Sequence, residues 1–324
     1  MSKKNLTILL LFVTTVCFSQ RKMTPELLWR LGRVSGTGIT KDGKSVVYSV
    51  SIPNWETNKS TPYNYVMSID GGTPIEINNP DSLLNDKNVS PDGKYIISSK
   101  DVKIKNVTGA DFYPEFSKSN VYIYDNLMYR HWDTWEDGKF GHVFLSTLEN
   151  GKSTNEKDLM PGEPYDCPQK PFGGDEDYVW NPDGKHVVYC TKKEYGTAYT
   201  ISTNTDLYEY DIETGTTKDL TEANKGYDIS PEYSKNGTLA WLQMKTPKYE
   251  ADKQDKVAFT GMGTVNLTRH RDDINVEGFR WADDGKHLFF WAATDGTFQL
   301  FEVDYTGATM KLPDISQITK GDFD

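Results

Sequence analysis

The sequence predicts an all-β chain: a β-propeller of four-stranded antiparallel blades. Three recurring features predict it. The first is a turn cassette. Ser90-Pro91-Asp92-Gly93-Lys94 and Asn181-Pro182-Asp183-Gly184-Lys185 are near-copies; Thr40-Lys41-Asp42-Gly43-Lys44, Ser234-Lys235-Asn236-Gly237-Thr238 and Ala282-Asp283-Asp284-Gly285-Lys286 are looser ones. Each precedes an apolar, β-prone run, at 45–50, 95–99, 186–191, 239–242 and 287–292. Asp-Gly or Asn-Gly between such runs marks a hairpin, because the turn needs residues that tolerate positive φ. The Asp or Asn positions 42, 92, 183, 236 and 284 are spaced by 50, 91, 53 and 48. That is a period of about fifty residues with one copy missing, in the range of a propeller blade.

The second feature is a strand that ends in an acidic-to-Gly turn. It stands at Ile69-Asp70-Gly71-Gly72, Leu148-Glu149-Asn150-Gly151, Ile212-Glu213-Thr214-Gly215 and Asp304-Tyr305-Thr306-Gly307. The third is Leu220-Thr221, Leu267-Thr268 and Ile318-Thr319, at intervals of 47 and 51. Three series in fixed order describe one antiparallel unit, repeated. A lone blade cannot bury both faces, so such units stack against neighbours. Trp135-Glu136-Asp137-Gly138-Lys139 fits the period but stands too close to the turn at Asn150-Gly151. Asp137-Gly138 therefore reads as an inner hairpin of a blade whose opening cassette has degenerated near 115–120.

Along the chain, residues 1–19 read as an export signal. Lys3-Lys4 is a basic start, and 6–16 is an apolar run too short to span a bilayer. Small residues at Cys17-Phe18-Ser19 suit cleavage. Val16 before Cys17 argues against a lipoprotein. Residues 20–34 form a lead-in with one short helix at Thr24-Pro25-Glu26-Leu27-Leu28-Trp29-Arg30-Leu31-Gly32, with an N-cap, an early Pro and a closing Gly. Residues 35–324 form a partial propeller of about five to six blades out of an expected seven. Aromatic residues are 13% of the chain, which suits packing between sheets.

The net charge of −11 excludes a nucleic-acid surface. Past the signal nothing calls for a membrane. Cys167 and Cys190 remain in the exported part, where a disulfide is permitted; two separate buried thiols are the favoured reading, since spacing does not fix geometry. No Gly-x-Ser-x-Gly elbow is present, and Gly32-Arg33-Val34-Ser35-Gly36 has the wrong spacing. The five histidines form no triad order. The acidic clusters Asp175-Glu176-Asp177, Asp272-Asp273 and Asp283-Asp284 lack calcium-loop spacing, and no zinc pair occurs. No catalytic residue, metal site or cofactor is expected.

Two segments stand out. In 127–139, Tyr129, Arg130, His131, Trp132 and Trp135 crowd together. Arg130 can donate to a carbonyl or carboxylate while Trp132 and Trp135 wall a pocket. A plain aromatic strand with Arg130 paired to Asp133 or Glu136 is the structural alternative. The second segment, 160–177, is a Pro- and Gly-rich loop ending in Asp175, Glu176 and Asp177. Long loops are disproportionately functional, and these carboxylates can pair with a cation such as a peptide α-amine; a solvated linker is the alternative.

With these residues in view, the chain resembles the N-terminal part of the prolyl oligopeptidase family of serine peptidases, in its dipeptidyl peptidase V and acylaminoacyl-peptidase-like branch. The resemblance rests on Met23-Thr24-Pro25-Glu26-Leu27-Leu28-Trp29, the Ser-Pro-Asp-Gly-Lys cassettes, the Tyr129–Lys139 segment, Gly173-Gly174-Asp175-Glu176-Asp177 before Trp180, and Arg280-Trp281. It implies a C-terminal α/β-hydrolase domain with the Ser-Asp-His triad, absent from this chain, which therefore looks incomplete at Asp324. It also implies a propeller that gates and helps select short peptides, a periplasmic or secreted location, and a parent that can be homodimeric. The alternative reading is a stand-alone TolB-like propeller that binds a protein partner in the periplasm.

Without an activated nucleophile, the 324-residue chain alone should not hydrolyse dipeptidyl or acylaminoacyl reporters. Hydrolysis sensitive to a serine-directed inhibitor would contradict this reading.

Overall fold

The five Gly-containing turns of the cassette series share one geometry. In a computed structural model of the chain, Gly43, Gly93, Gly184, Gly237 and Gly285 all have positive φ, between 65° and 81°. Each donates its N–H three residues back, as Gly93 does to the Ser90 carbonyl at 2.8 Å. The Asp before four of them accepts a second bond from two residues ahead: Lys44, Lys94, Lys185 and Lys286 donate to Asp42, Asp92, Asp183 and Asp284 at 2.7–3.1 Å. Asp closes the turn through its side chain, and Gly supplies the left-handed step. Residues 22–116, 118–248, 256–261, 263–305 and 313–322 are described. The expected export signal and the turn at Thr306-Gly307 lie outside the described residues.

The chain divides into two compact units, one ending at Asp86 and the other starting at Lys87. In the first, a helix spans Pro25–Arg30, capped by Thr24, whose hydroxyl accepts the Leu27 N–H at 3.2 Å. Four strands follow: β1 (Arg33–Ile39), β2 (Ser45–Asn54), β3 (Lys59–Ser68) and β4 (Ile75–Ile77), in antiparallel order β1-β2-β3-β4. Val47 is fully buried here and Tyr48 stacks on Tyr65 at 5.5 Å.

The second unit holds four more sheets. The first of them joins β5 (Tyr95–Lys103), β8 (Lys139–Glu149) and β9 (Lys152–Asp158), with a bridge between Val89 and Ile96 in place of an inner strand. A separate hairpin, β6 (Arg130–His131) and β7 (Thr134–Trp135), lies between β5 and β8 in sequence. Then come β10 (Tyr178–Trp180), β11 (His186–Thr191), β12 (Asp206–Asp211) and β13 (Thr217–Asp219). The next sheet is β14 (Tyr227–Tyr233), β15 (Leu239–Met244), β16 (Lys256–Gly261) and β17 (Gly263–Asn266). The last is β18 (Asn275–Trp281), β19 (His287–Thr294), β20 (Thr297–Asp304) and β21 (Ile315–Gln317). The last three sheets each follow sequence order and are antiparallel. Five blade-like meanders of propeller type thus account for the described residues, as the cassettes predict.

Sheet-on-sheet burial explains the apolar runs. In β11, Val187 and Tyr189 pack toward Ile97, Val143 and Leu145, while Val188 and Cys190 pack toward Leu239 and Trp241. Both faces are covered, so the run is apolar at nearly every position rather than alternating. Cys167 and Cys190 are separate, buried free thiols, and burial pushes both well above the usual thiol range.

One expectation is corrected. The opening cassette of this blade is not a degenerate copy near 115–120: among the described residues Pro114–Phe116 is a single 3-10 turn, and the cassette at 90–94 leads into β5. The 91-residue interval is one blade with a long insertion, residues 104–138, between β5 and β8. Those two strands pair without a break from Tyr95↔Thr147 to Lys103↔Lys139. At the neck, the N–H groups of Ile104 and Lys105 both donate to the Gly138 carbonyl, at 2.9 and 3.0 Å. Gly138 has φ +81°, and a Cβ there would sit 2.1 Å from the Lys105 carbonyl oxygen. Asp137-Gly138 is therefore the closing neck of the insertion rather than an inner hairpin. Inside it, Asp111 takes the Lys103 ammonium at 2.7 Å and the Val107 and Thr108 N–H groups. The Lys103 bond and these backbone donors hold its carboxyl well below the usual range.

The loop between β9 and β10 is sewn to the sheets. Cys167 N–H donates to the Gly141 carbonyl at 2.8 Å, and Gly141 N–H returns a bond to Asp166 at 2.8 Å. Buried Asp177 accepts the Gln169 N–H at 2.7 Å, and Gln169 accepts the Lys192 N–H at 2.7 Å. Burial pushes the Asp177 carboxyl up to about 7, against the Gln169 bond.

Two outcomes follow. Gly138→Ala should cost about 2–3 kcal/mol in chemical denaturation, since both the turn and the neck are strained. Gly151→Ala, with φ +73° but nothing within 4 Å, should cost clearly less; equal losses would contradict the neck's role. Second, a folded-state pKa raised above the free value of 3.8 means that stability falls as pH rises from about 4 to about 7. Asp177→Asn keeps an oxygen for Gln169 and removes the charge. It should stabilise the chain at pH 8 by on the order of a few kcal/mol and by little at pH 4. Destabilisation at pH 8 would contradict this assignment.

Candidate functional site

An antiparallel meander sorts its connections by end. The cassette turns and the acidic-to-Gly turns share one end of a blade. The second-to-third strand links and the blade-to-blade links share the other. Insertion 104–138 joins β5 to β8, loop 159–177 joins β9 to β10, and segment 192–205 joins β11 to β12. All three emerge from the second end of two neighbouring blades, and together they enclose a cavity of about 650 Å³.

The insertion contributes Phe112, Tyr124, Met128, His131, Trp132 and Glu136 to its walls. Pro164, Tyr165, Asp166, Lys170 and Pro171 come from the loop, Glu194, Tyr195 and Tyr199 from the third segment, and Phe140 from β8. Behind this wall an aromatic ladder stiffens the insertion. Trp135 lies against Tyr122, Tyr124 and Tyr129, with ring centres 5.8–6.2 Å away. The Tyr124 hydroxyl donates to the Glu136 carbonyl at 2.5 Å.

The cations of the cavity are engaged. Lys170 pairs with buried Asp166 at 2.9 Å, and Lys105 sits 3.8 Å from the centre of the Tyr195 ring. Burial pushes the Asp166 carboxyl up, against the pull of Lys170. Burial opposes the Lys170 charge, yet Asp166 holds that ammonium above its usual range. The half-buried carboxylates of Glu136 and Glu194 make no hydrogen bond or ion pair among the described residues. Burial raises the Glu136 carboxyl, with Lys170 opposing. Carboxylates outnumber lysines along the lining, so the pocket offers net negative charge between aromatic walls, an arrangement suited to an organic cation.

Of the residues singled out in the sequence, Trp132 lines the cavity. Arg130 stands behind it: its Nε donates to the Trp132 carbonyl at 2.6 Å, and its guanidinium lies 5.2 Å from the Trp135 ring centre. The terminal nitrogens of Arg130 carry no hydrogen bond among the described residues. Asp175, Glu176 and Asp177 form one 3-10 turn before β10, outside the cavity wall. Asp175 accepts the Tyr178 hydroxyl at 2.8 Å, Asp177 is turned to the Gln169 backbone, and Glu176 is exposed beside Gly174 without a hydrogen bond among the described residues. The structure therefore brings Arg130, Trp132 and Trp135 together and sets the acidic turn apart.

Sequence reasoning passed over Lys170, Glu194 and Tyr195, and named Glu136 only as a pairing partner for Arg130. Glu136 and Lys170 lie within the two segments it singled out. For Glu194 the signal is the long gap between β11 and β12, where a two-residue turn would suffice. Among possible metal ligands, His287, Glu302 and Asp304 bring ligand atoms within 4.8 Å of one another, but His287 is already held by Asp284 at 2.5 Å and Asp304 at 3.3 Å.

No protein-family model matches the chain. It is 33% identical over 93% of its length to the dipeptidyl-peptidase 5 of Porphyromonas gingivalis, of which it covers 50%. It is 32% identical over 71% of its length to that of Porphyromonas endodontalis, of which it covers 40%. Among solved structures, an acylaminoacyl peptidase of Pyrococcus horikoshii matches 91% of this chain and 47% of its own, with TM-score 0.60 and 13% identity, a likeness of fold. The chain thus spans about half the length of the curated relatives it matches. By sequence, and in agreement with its fold, the chain belongs to the prolyl oligopeptidase family as the propeller portion of its dipeptidyl-peptidase 5 branch.

Proposed function

We propose that the chain is the propeller portion of an exported serine peptidase that removes dipeptides, and that its cavity admits and selects peptide N-termini. The observation that carries this reading is the unpartnered pair Glu136 and Glu194 in a cavity whose lysines are already engaged. A free α-amine offsets a half-buried carboxylate; an acylated N-terminus brings no charge. The carboxylates therefore favour dipeptidyl over acylaminoacyl substrates. In this reading the nucleophile, base and oxyanion donors come from a hydrolase domain outside the chain. In this reading Trp132 is the wall that the peptide meets, and Arg130 and Trp135 support that wall from behind. Glu176 is the competing amine anchor, and Asp175 and Asp177 set the turn that carries it. Export to the periplasm or beyond belongs to the same proposal.

The test is kcat/KM of the full-length enzyme on free and N-blocked dipeptidyl reporters. Glu136→Gln or Glu194→Gln should cost about 1.5–3 kcal/mol, roughly 10- to 150-fold, on free substrates only. A loss confined to Glu176→Gln would move the anchor to the acidic turn. Unchanged discrimination in all three variants would remove the amine reading.

A further inference from the structure

Trp132 and Phe172 are the two most exposed aromatic side chains on the cavity-bearing loops, at 68% and 78%. They come from different segments, the β6–β7 hairpin and the loop before β10. Even so, their rings meet at 5.5 Å with planes 67° apart. Two faces at that angle form an open apolar corner. It stands at the cavity, since Trp132, Lys170 and Pro171 all line it.

The backbone under the corner is unusual. The β6–β7 hairpin turns through Trp132-Asp133, and Trp132 has φ +48°. That left-handed position favours Gly, Asn or Asp; a bulky residue there is strained. Strain of this kind persists only where the surroundings fix it, and it collects at ligand contacts. Here the surroundings do fix it. Arg130 Nε takes the Trp132 carbonyl, and Arg130 is itself held over Trp135, the centre of the aromatic ladder. His131 adds an edge contact to Trp132 at 4.8 Å. A hairpin built only to turn would carry Gly at this position, and the indole gains little burial in return.

Resting on the peptide reading above, we infer that the Trp132–Phe172 corner is a specificity subsite for one bulky apolar side chain of the bound peptide, with Arg130 as the residue that positions it. Shape and apolar area do the recognising, so the subsite is independent of the charge on Glu136 and Glu194. A ligand ring docking into the corner completes an aromatic cluster, and such pairs add selectivity beyond area alone.

The experiment compares the full-length enzyme with its Trp132→Gly and Phe172→Ala variants on Phe-Gly, Gly-Phe and Gly-Gly reporters. Calorimetric binding of the matching dipeptide amides runs beside it. Each substitution should lower kcat/KM and affinity for one Phe-bearing probe about five- to tenfold more than it lowers those for Gly-Gly. Trp132→Gly should also melt at the same or a higher temperature, because the strain is relieved. Equal losses on all probes, no loss on any, or a lower melting temperature for Trp132→Gly would overturn the inference. The last result would mean that the indole packs for stability. Selective binding without hydrolysis would overturn the peptidase reading and leave the corner standing. Absence of both would overturn the two together.

Discussion

The candidate site depends on the uninterrupted pairing of β5 with β8. Residues 104–138 separate these strands, and closing a loop of that length costs conformational entropy. The ladder from Tyr95↔Thr147 to Lys103↔Lys139 offsets this cost with backbone bonds and with burial of Ile97, Val143 and Leu145. Because the strands remain a hairpin, the insertion must leave and return at one point. The Gly138 carbonyl seals that point with two bonds, and only a residue without a side chain fits against Lys105. The blade is thus a rigid base, and the insertion is free to carry chemistry.

The second constraint is electrostatic. Asp166 and Asp177 are buried carboxylates, yet each accepts a backbone N–H and so holds a Pro- and Gly-rich loop in one shape. Lys170 is paired with Asp166, and Lys105 lies over the Tyr195 ring. What remains toward the cavity is acidic and aromatic. The loops therefore divide their charged groups into those that fix the wall and those left for a ligand. In the proposed function, selection by charge and selection by apolar shape then fall to different residues of one cavity.

Much of the fold is legible in the sequence because turn chemistry is local. Asp92-Gly93 and Asp183-Gly184 close their turns with their own side chain and backbone, so five cassettes announce five meanders. The 91-residue interval misleads because periodicity counts residues and cannot see that β5 and β8 pair across an insertion. The site is less legible. Asp175, Glu176 and Asp177 look like an anchor in sequence, but Asp177 points back to Gln169 and Asp175 to Tyr178, contacts that only folding creates. The segment 127–139 shows its density of aromatics plainly. That Arg130 braces Trp132 while Glu136 faces the cavity depends on a hairpin too short to show a strand pattern.

The central claim is that the blade scaffold and the insertion that walls much of the proposed peptide cavity are separable, the chain passing between them at the neck beside Gly138. Replacing residues 104–138 with a two-residue Asn-Gly turn between Lys103 and Lys139 tests it most directly, because the flanking register already suits such a hairpin. The account predicts that the shortened protein melts cooperatively near the parent temperature and no longer binds dipeptide amides in calorimetry. Loss of cooperative melting, or retained binding, would contradict it.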